Sequence, residues 1–85
     1  MTEKKKTKRE LESEQKKMRI IESAEKLFSK FGYDQTTLQD ISEDSGFSIG
    51  SIYNFFRTKE NILMEIQIKS VFLVIQKDML VLILL

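Results

Sequence analysis

The sequence predicts an all-α fold: three helices, the second and third joined by a tight turn, followed by a fourth that runs into an apolar tail. Three observations carry this. Apolar residues recur at helical spacing in four separate stretches. Thr37, Ser48 and Thr58 stand immediately ahead of the last three, and Gly32 and Gly46 stand just past the ends of the first two.

Eighty-five residues with 41% hydrophobic content allow one small domain with one modest core and exclude a second globular domain. Cysteine and histidine are both absent, which removes disulfides, thiolate metal sites and the commonest general base and metal ligand. An intracellular chain with no cofactor and no metal is the natural expectation. The formal charge of +1 hides an asymmetry: residues 1–19 hold eight of the fourteen Lys and Arg with four acids and carry +4, while the remainder carries −3. A basic arm ahead of a near-neutral helical domain suits a polyanionic partner, although such runs are more often solvated tails. The opening MTEKKKTKREL has no apolar stretch and is not a secretory signal.

The first helix is expected from Glu14, with Ile20, Ala24, Leu27, Phe28 and Phe31 on one face. Gly32 should end it as a left-handed cap, with Tyr33 the next apolar contact. The second helix starts at Leu38, where Thr37 and Asp40 match the capping pattern. Leu38, Ile41, Ser42 and Ser45 face inward, and Gln39, Asp40, Glu43 and Asp44 outward. Gly46 supplies the turn and Phe47 plugs the space between helices.

Ser48 caps the third helix, expected from Ile49 through Phe56, with Ile52 and Phe56 as anchors four residues apart. Glycine early in a short helix costs about 1 kcal/mol relative to alanine. Gly50 therefore suggests that a partner approaches the backbone closely there, and DNA is one candidate. Thr58 caps the fourth helix, with Ile62, Leu63, Ile66 and Ser70 facing inward. From Val71 to Leu85 the chain is apolar nearly all round except Gln76, Lys77 and Asp78, the pattern of a fully buried helix. A membrane span needs about 20 apolar residues. The stretch is too short for that, its polar triplet lies mid-segment, and a helix cut off from its packing partners is expected instead. There is no internal repeat, low-complexity linker or Pro-rich segment.

The run from Arg19 to Leu63 resembles the amino-terminal DNA-binding domain of the tetracycline-repressor (TetR) family of bacterial transcription regulators. The resemblance rests on the Ile20, Ala24, Leu27, Phe28 face, the Gly32–Tyr33 pair, Thr36–Thr37, Ile41, Gly46, Ser48, Gly50, Tyr53, Phe56, Lys59 and Glu60. It implies a three-helix helix-turn-helix DNA-binding domain followed by a fourth connecting helix, truncated at its C-terminus. Residues 1–13 are then a basic mobile arm, 14–74 the DNA-binding domain with the helix-turn-helix at about 37–56, and 75–85 an apolar stub of an absent ligand-binding and dimerisation domain. The partner implied is double-stranded DNA in the cytoplasm, bound by a repressor that is a homodimer in its full-length form.

By the same resemblance, Thr37 and Lys59 match phosphate-contacting positions and Tyr53 an aromatic hydroxyl that reaches phosphate. Ser48, Ile49, Gly50, Ser51, Asn54 and Phe55 match the groove-facing side. Each has a plainer alternative. Thr37 and Ser48 are caps with or without DNA. Tyr53 can be a half-buried aromatic with a wet hydroxyl, Lys59 a solvated lysine, and Phe55 an edge packer rather than a contact to a thymine methyl. Asn54 suits bidentate reading of adenine, or binds phosphate or water. Ile49 stands where the family commonly carries a polar or basic residue, which lowers the hydrogen-bonding capacity of the helix. Asp40, Glu43 and Asp44 must face away from phosphate for binding to work.

Two other functional classes can be set against the sequence. The apolar tail alone would suit a small helical protein-interaction or membrane-associating module. An enzyme has no support, since no catalytic constellation is evident and Gly32, Gly46 and Gly50 form no phosphate-cradling loop.

Overall fold

The computed structural model describes residues 6–84, so the start of the expected basic arm and Leu85 lie outside it. Four helices follow in order: α1 Lys8–Phe31, α2 Leu38–Ser45, α3 Ile49–Tyr53 and α4 Lys59–Leu84. No strand occurs among the described residues.

Helix α1 begins six residues ahead of the expected Glu14. Thr7 is its N-cap, with Oγ1 accepting from Glu10 N at 3.1 Å, and the first turns are rich in residues of good helix propensity. Residues 8–15 form helix while remaining exposed, so local capping rather than tertiary packing sustains them.

The core is small and contiguous: Ile20, Ile21, Ala24 and Leu27 from α1, Ile41 from α2, Ile52 from α3, Phe56 from the following turn and Ile62 from α4. Phe28, Leu38, Phe47, Phe55 and Ile66 pack against it. Phe31 departs from the expected face: it is 56% exposed at the last position of α1, beside the Lys30 ammonium. The ion pairs Lys69–Glu25, at 2.8 Å, and Lys17–Glu65, at 3.5 Å, span α1 and α4.

Gly32 ends α1 at φ 93°, ψ 151°. This is a positive-φ extended conformation rather than the expected left-handed cap, and it is one that strongly favours glycine. The turn it opens is braced by Thr36, whose buried Oγ1 donates to Gly32 O at 2.9 Å and to Leu27 O at 3.3 Å.

Helix α4 is continuous through the apolar tail, and residues 70–84 are exposed on every side, as a helix cut off from its packing partners would be. Ser70 is exposed rather than inward. Among the described residues no helix is long and apolar enough to cross a membrane.

Candidate nucleic-acid interface

Helix α2 opens with a complete capping box. Thr37 Oγ1 accepts from Asp40 N at 3.1 Å, and Thr37 N donates to Asp40 Oδ2 at 2.9 Å. The backbone amides of Leu38 and Gln39 are left without intrahelical acceptors at the positive end of the helix, and the Thr37 hydroxyl proton is free to donate. Thr37 is exposed, so this end is open to an anion.

The turn into α3 is fixed by serines. Gly46 adopts the left-handed conformation at φ 82°, ψ 3°, and donates from N to Ser42 O at 3.0 Å. Ser42 Oγ donates to Phe47 O at 2.6 Å, and Phe47 N donates to Ser45 Oγ at 3.3 Å. These bonds explain why Ser42 and Ser45 face inward, and they set the angle at which α3 leaves α2.

Helix α3 is capped by Ser48, whose Oγ accepts from Ser51 N at 3.1 Å. Ile52, fully buried, pins its inner side. The helix is shorter than expected: it stops at Tyr53, and Asn54 and Phe55 form a tighter turn through Asn54 N to Ser51 O at 3.2 Å and Phe55 N to Ile52 O at 2.9 Å. Phe56 reaches the core from beyond the helix.

The sequence-predicted residues differ in exposure. Thr37, Ser48, Gly50, Tyr53 and Asn54 are exposed, with Tyr53 at 46%. Ile49 and Ser51 are half-buried, and Phe55 packs against the core beside Phe56, with ring centroids 6.5 Å apart. A Cβ on Gly50 would meet only Ser48 Oγ, at 3.8 Å, and its φ is not positive. Neither internal packing nor backbone geometry therefore requires glycine there.

Helix α4 begins behind the Thr58 cap, where Asn61 N donates to Thr58 Oγ1 at 3.2 Å. Lys59 is engaged with the α1–α2 turn: Nζ donates to Tyr33 O at 2.7 Å and lies 4.3 Å from the centroid of the Tyr33 ring. Tyr33 in turn meets Phe28 edge-on at 5.0 Å. Its hydroxyl is buried without a hydrogen-bond partner, and burial first, then the nearby Glu60 carboxylate, hold the phenol above its ordinary pKa.

The acids of α2 divide. Asp44 is drawn onto α1, with Oδ1 2.7 Å from Lys26 Nζ and Oδ2 accepting from Ser23 Oγ at 2.6 Å. The Lys26 contact first, then Ser23, hold its carboxyl below the usual carboxylate range. Glu43 is exposed and accepts from Gln39 Nε2 at 3.4 Å. Asp40, tied into the cap, keeps its charge at the mouth of α2. Only Asp44 is thus visibly drawn away, because the same carboxylate that caps the helix cannot also leave its end.

Sequence reasoning missed one contribution. With residues 8–13 helical, Arg9, Glu12, Ser13 and Lys16 line a shallow groove with Asn54 and Phe55, which brings two cations and one carboxylate of α1 beside the end of α3. The spacing of Thr7 and Glu10 was the available signal. Among the described residues no group of His, Cys, Asp or Glu is arranged to hold a metal.

Residues 20–66, more than half of the chain, match the family described as bacterial regulatory proteins, tetR family. The chain belongs to the TetR family. Curated relatives fit this: it is 42% identical over 51 residues to the uncharacterized HTH-type transcriptional regulator YerO of Bacillus subtilis, covering 60% of this chain and 18% of YerO. It is 44% identical over 50 residues to the HTH-type transcriptional regulator QacR of Staphylococcus aureus, covering 59% and 27%. It is 38% identical over 55 residues to TtgR of Pseudomonas putida, covering 65% and 26%. This TetR-family chain thus spans about a fifth to a quarter of the length of these relatives. No solved structure matches it.

Proposed function

We propose that this TetR-family chain binds double-stranded DNA in the cytoplasm by laying α3 in the major groove, and that it represses transcription by occupying an operator. The observation that carries the reading is α3 itself. Ile52 fixes the helix to the core, and its outer side presents Gly50, Tyr53 and Asn54 with no internal reason for a glycine. Ser48, Ile49, Gly50, Ser51 and Asn54 face base edges. Phe55, seated on the core, shapes the edge of the surface. Thr37, Tyr53 and Lys59 hold phosphates on either side, and Arg9 adds a cation at the α1 end. The relatives' names as HTH-type transcriptional regulators support the same reading. Helix-turn-helix proteins bind paired half-sites as dimers, so a homodimer on a two-fold site is proposed for the whole protein.

Binding to a short duplex across a salt series tests this. Losing one phosphate contact should reduce the slope of log affinity against log salt by about 0.9. Lys59→Ala, which removes a cation, should show that reduction, whereas Tyr53→Ala should weaken binding with the slope unchanged, and affinities equal to the parent's would sink the assigned roles.

A second reading is favoured by one observation, the exposed apolar surface of α4 from Val71 to Leu84: association with another protein through that helix. Deleting residues 71–85 separates the two, since it should abolish association while leaving Lys59-dependent DNA binding.

A further inference from the structure

We infer that Tyr33 is a positioning residue for Lys59, holding its ammonium in one place and tying the start of α4 to the start of α2. The ammonium lies 4.3 Å from the ring centroid while donating to the carbonyl of the same residue at 2.7 Å. That carbonyl also accepts from Thr36 N at 3.2 Å, so one oxygen joins Lys59 to the turn that ends at Thr37, the cap of α2. An ammonium has three N–H donors, and the carbonyl takes one. The remaining donors are shared between the ring face and an anion. A lysine otherwise moves on a flexible four-carbon stem, and a partner must immobilise it on binding. Here the ring and the carbonyl have largely done so beforehand.

The ring, not the hydroxyl, is the working part. Tyr33 Oη makes no hydrogen bond of ordinary geometry, and the Glu60 carboxylate near it is exposed, so removing the hydroxyl leaves that carboxylate to water. Phenylalanine at this position keeps both the aromatic face toward Lys59 and the edge contact with Phe28, whereas leucine keeps apolar bulk but loses the face.

The positioning role rests on the DNA reading above, and the experiment keeps the two apart. In NMR spectra of the full chain, Lys59 methylene protons should be shifted upfield by the ring current in the parent and in Tyr33→Phe, and return to ordinary values in Tyr33→Leu. Binding to a short mixed-sequence duplex should weaken about threefold to tenfold in Tyr33→Leu, the cost of immobilising one long side chain. It should be unchanged in Tyr33→Phe, and Tyr33→Leu should cost nothing further in a Lys59→Ala background. Thermal melts followed by circular dichroism establish that each variant is folded. Ordinary Lys59 shifts in the parent, or the same cost of Tyr33→Leu with and without Lys59, would overturn the positioning role even if the parent binds DNA. A parent with no salt-dependent DNA binding sinks the DNA reading and the positioning role together, and any ring-current shifts would then mark a purely structural contact.

Discussion

Gly50 and Ser48 lie so that the only atom a side chain on the glycine would approach is Ser48 Oγ, at 3.8 Å. The site is open, and the backbone is ordinary helix. Gly50→Ala should therefore stabilise the fold by roughly 0.5 kcal/mol, since alanine loses less backbone entropy in a helix. If a duplex occupies that space, the same change weakens DNA binding. Thermal melting and DNA titration of one variant read both effects. A stabilised protein with undiminished affinity would show that nothing approaches the glycine.

Asp40 occupies two roles that conflict. It completes the α2 cap, and it places a negative charge where phosphate is proposed to sit. Asp40→Asn should lower stability by roughly 0.3–1 kcal/mol, the range for a charge at a helix end. DNA affinity at low salt should rise by about twofold to fivefold from the same interaction, now with its sign reversed. The gain should fade as salt is added.

Asp44 makes the fold sensitive to acid. Its carboxyl is held below its ordinary value of 3.8 by Lys26 first and then Ser23. A folded-state value below the unfolded one means that the stabilising contribution is complete above the unfolded value and is lost as pH falls through the folded one. Melting temperature in the parent should thus decline below about pH 4, and Asp44→Asn should flatten that decline while lowering stability at neutral pH. Parallel curves for the two proteins would remove Asp44 from the acid response.

Helix α4 presents Leu80, Val81, Leu82, Ile83 and Leu84 to solvent with nothing over them. Sedimentation velocity of the 85-residue chain should show association that grows with concentration, because a contiguous apolar surface of this kind is rarely left open. Leu80→Lys with Ile83→Lys should reduce it. A parent that stays monomeric throughout would contradict the expectation.

The parts of the fold legible in the sequence were those set by near neighbours. Thr37 with Asp40, Ser48 with Ser51 and Thr58 with Asn61 are bonds across three residues, and each cap stands where its hydroxyl predicts. Ile41, Ile52 and Phe56 were likewise readable from helical spacing. Lys59 with Tyr33 is separated by 26 residues and Asp44 with Ser23 by 21, and no local pattern encodes either pair. Phe31 departs from its expected face for a related reason. Apolarity states a preference for burial, but whether another element is there to provide it is a property of the whole molecule. The third helix ends at Tyr53, short of Phe56, because the backbone tightens at Asn54 and Phe55, although Phe56 N still donates to Ile52 O at 2.8 Å, which is why the helical spacing of the two anchors holds.

The first two turns of α1 stand clear of the core, held by the Thr7 cap and by contacts along their own length, such as that between Lys6 and Glu14. A helix supported only in this way frays at a free-energy cost far below that of global unfolding. Backbone amides of residues 8–15 should thus exchange with deuterium long before those around Ile20 and Ala24. The position of Arg9 should correspondingly be a thermal average, responsive to temperature and ionic strength, while α3, anchored by Ile52, stays in place.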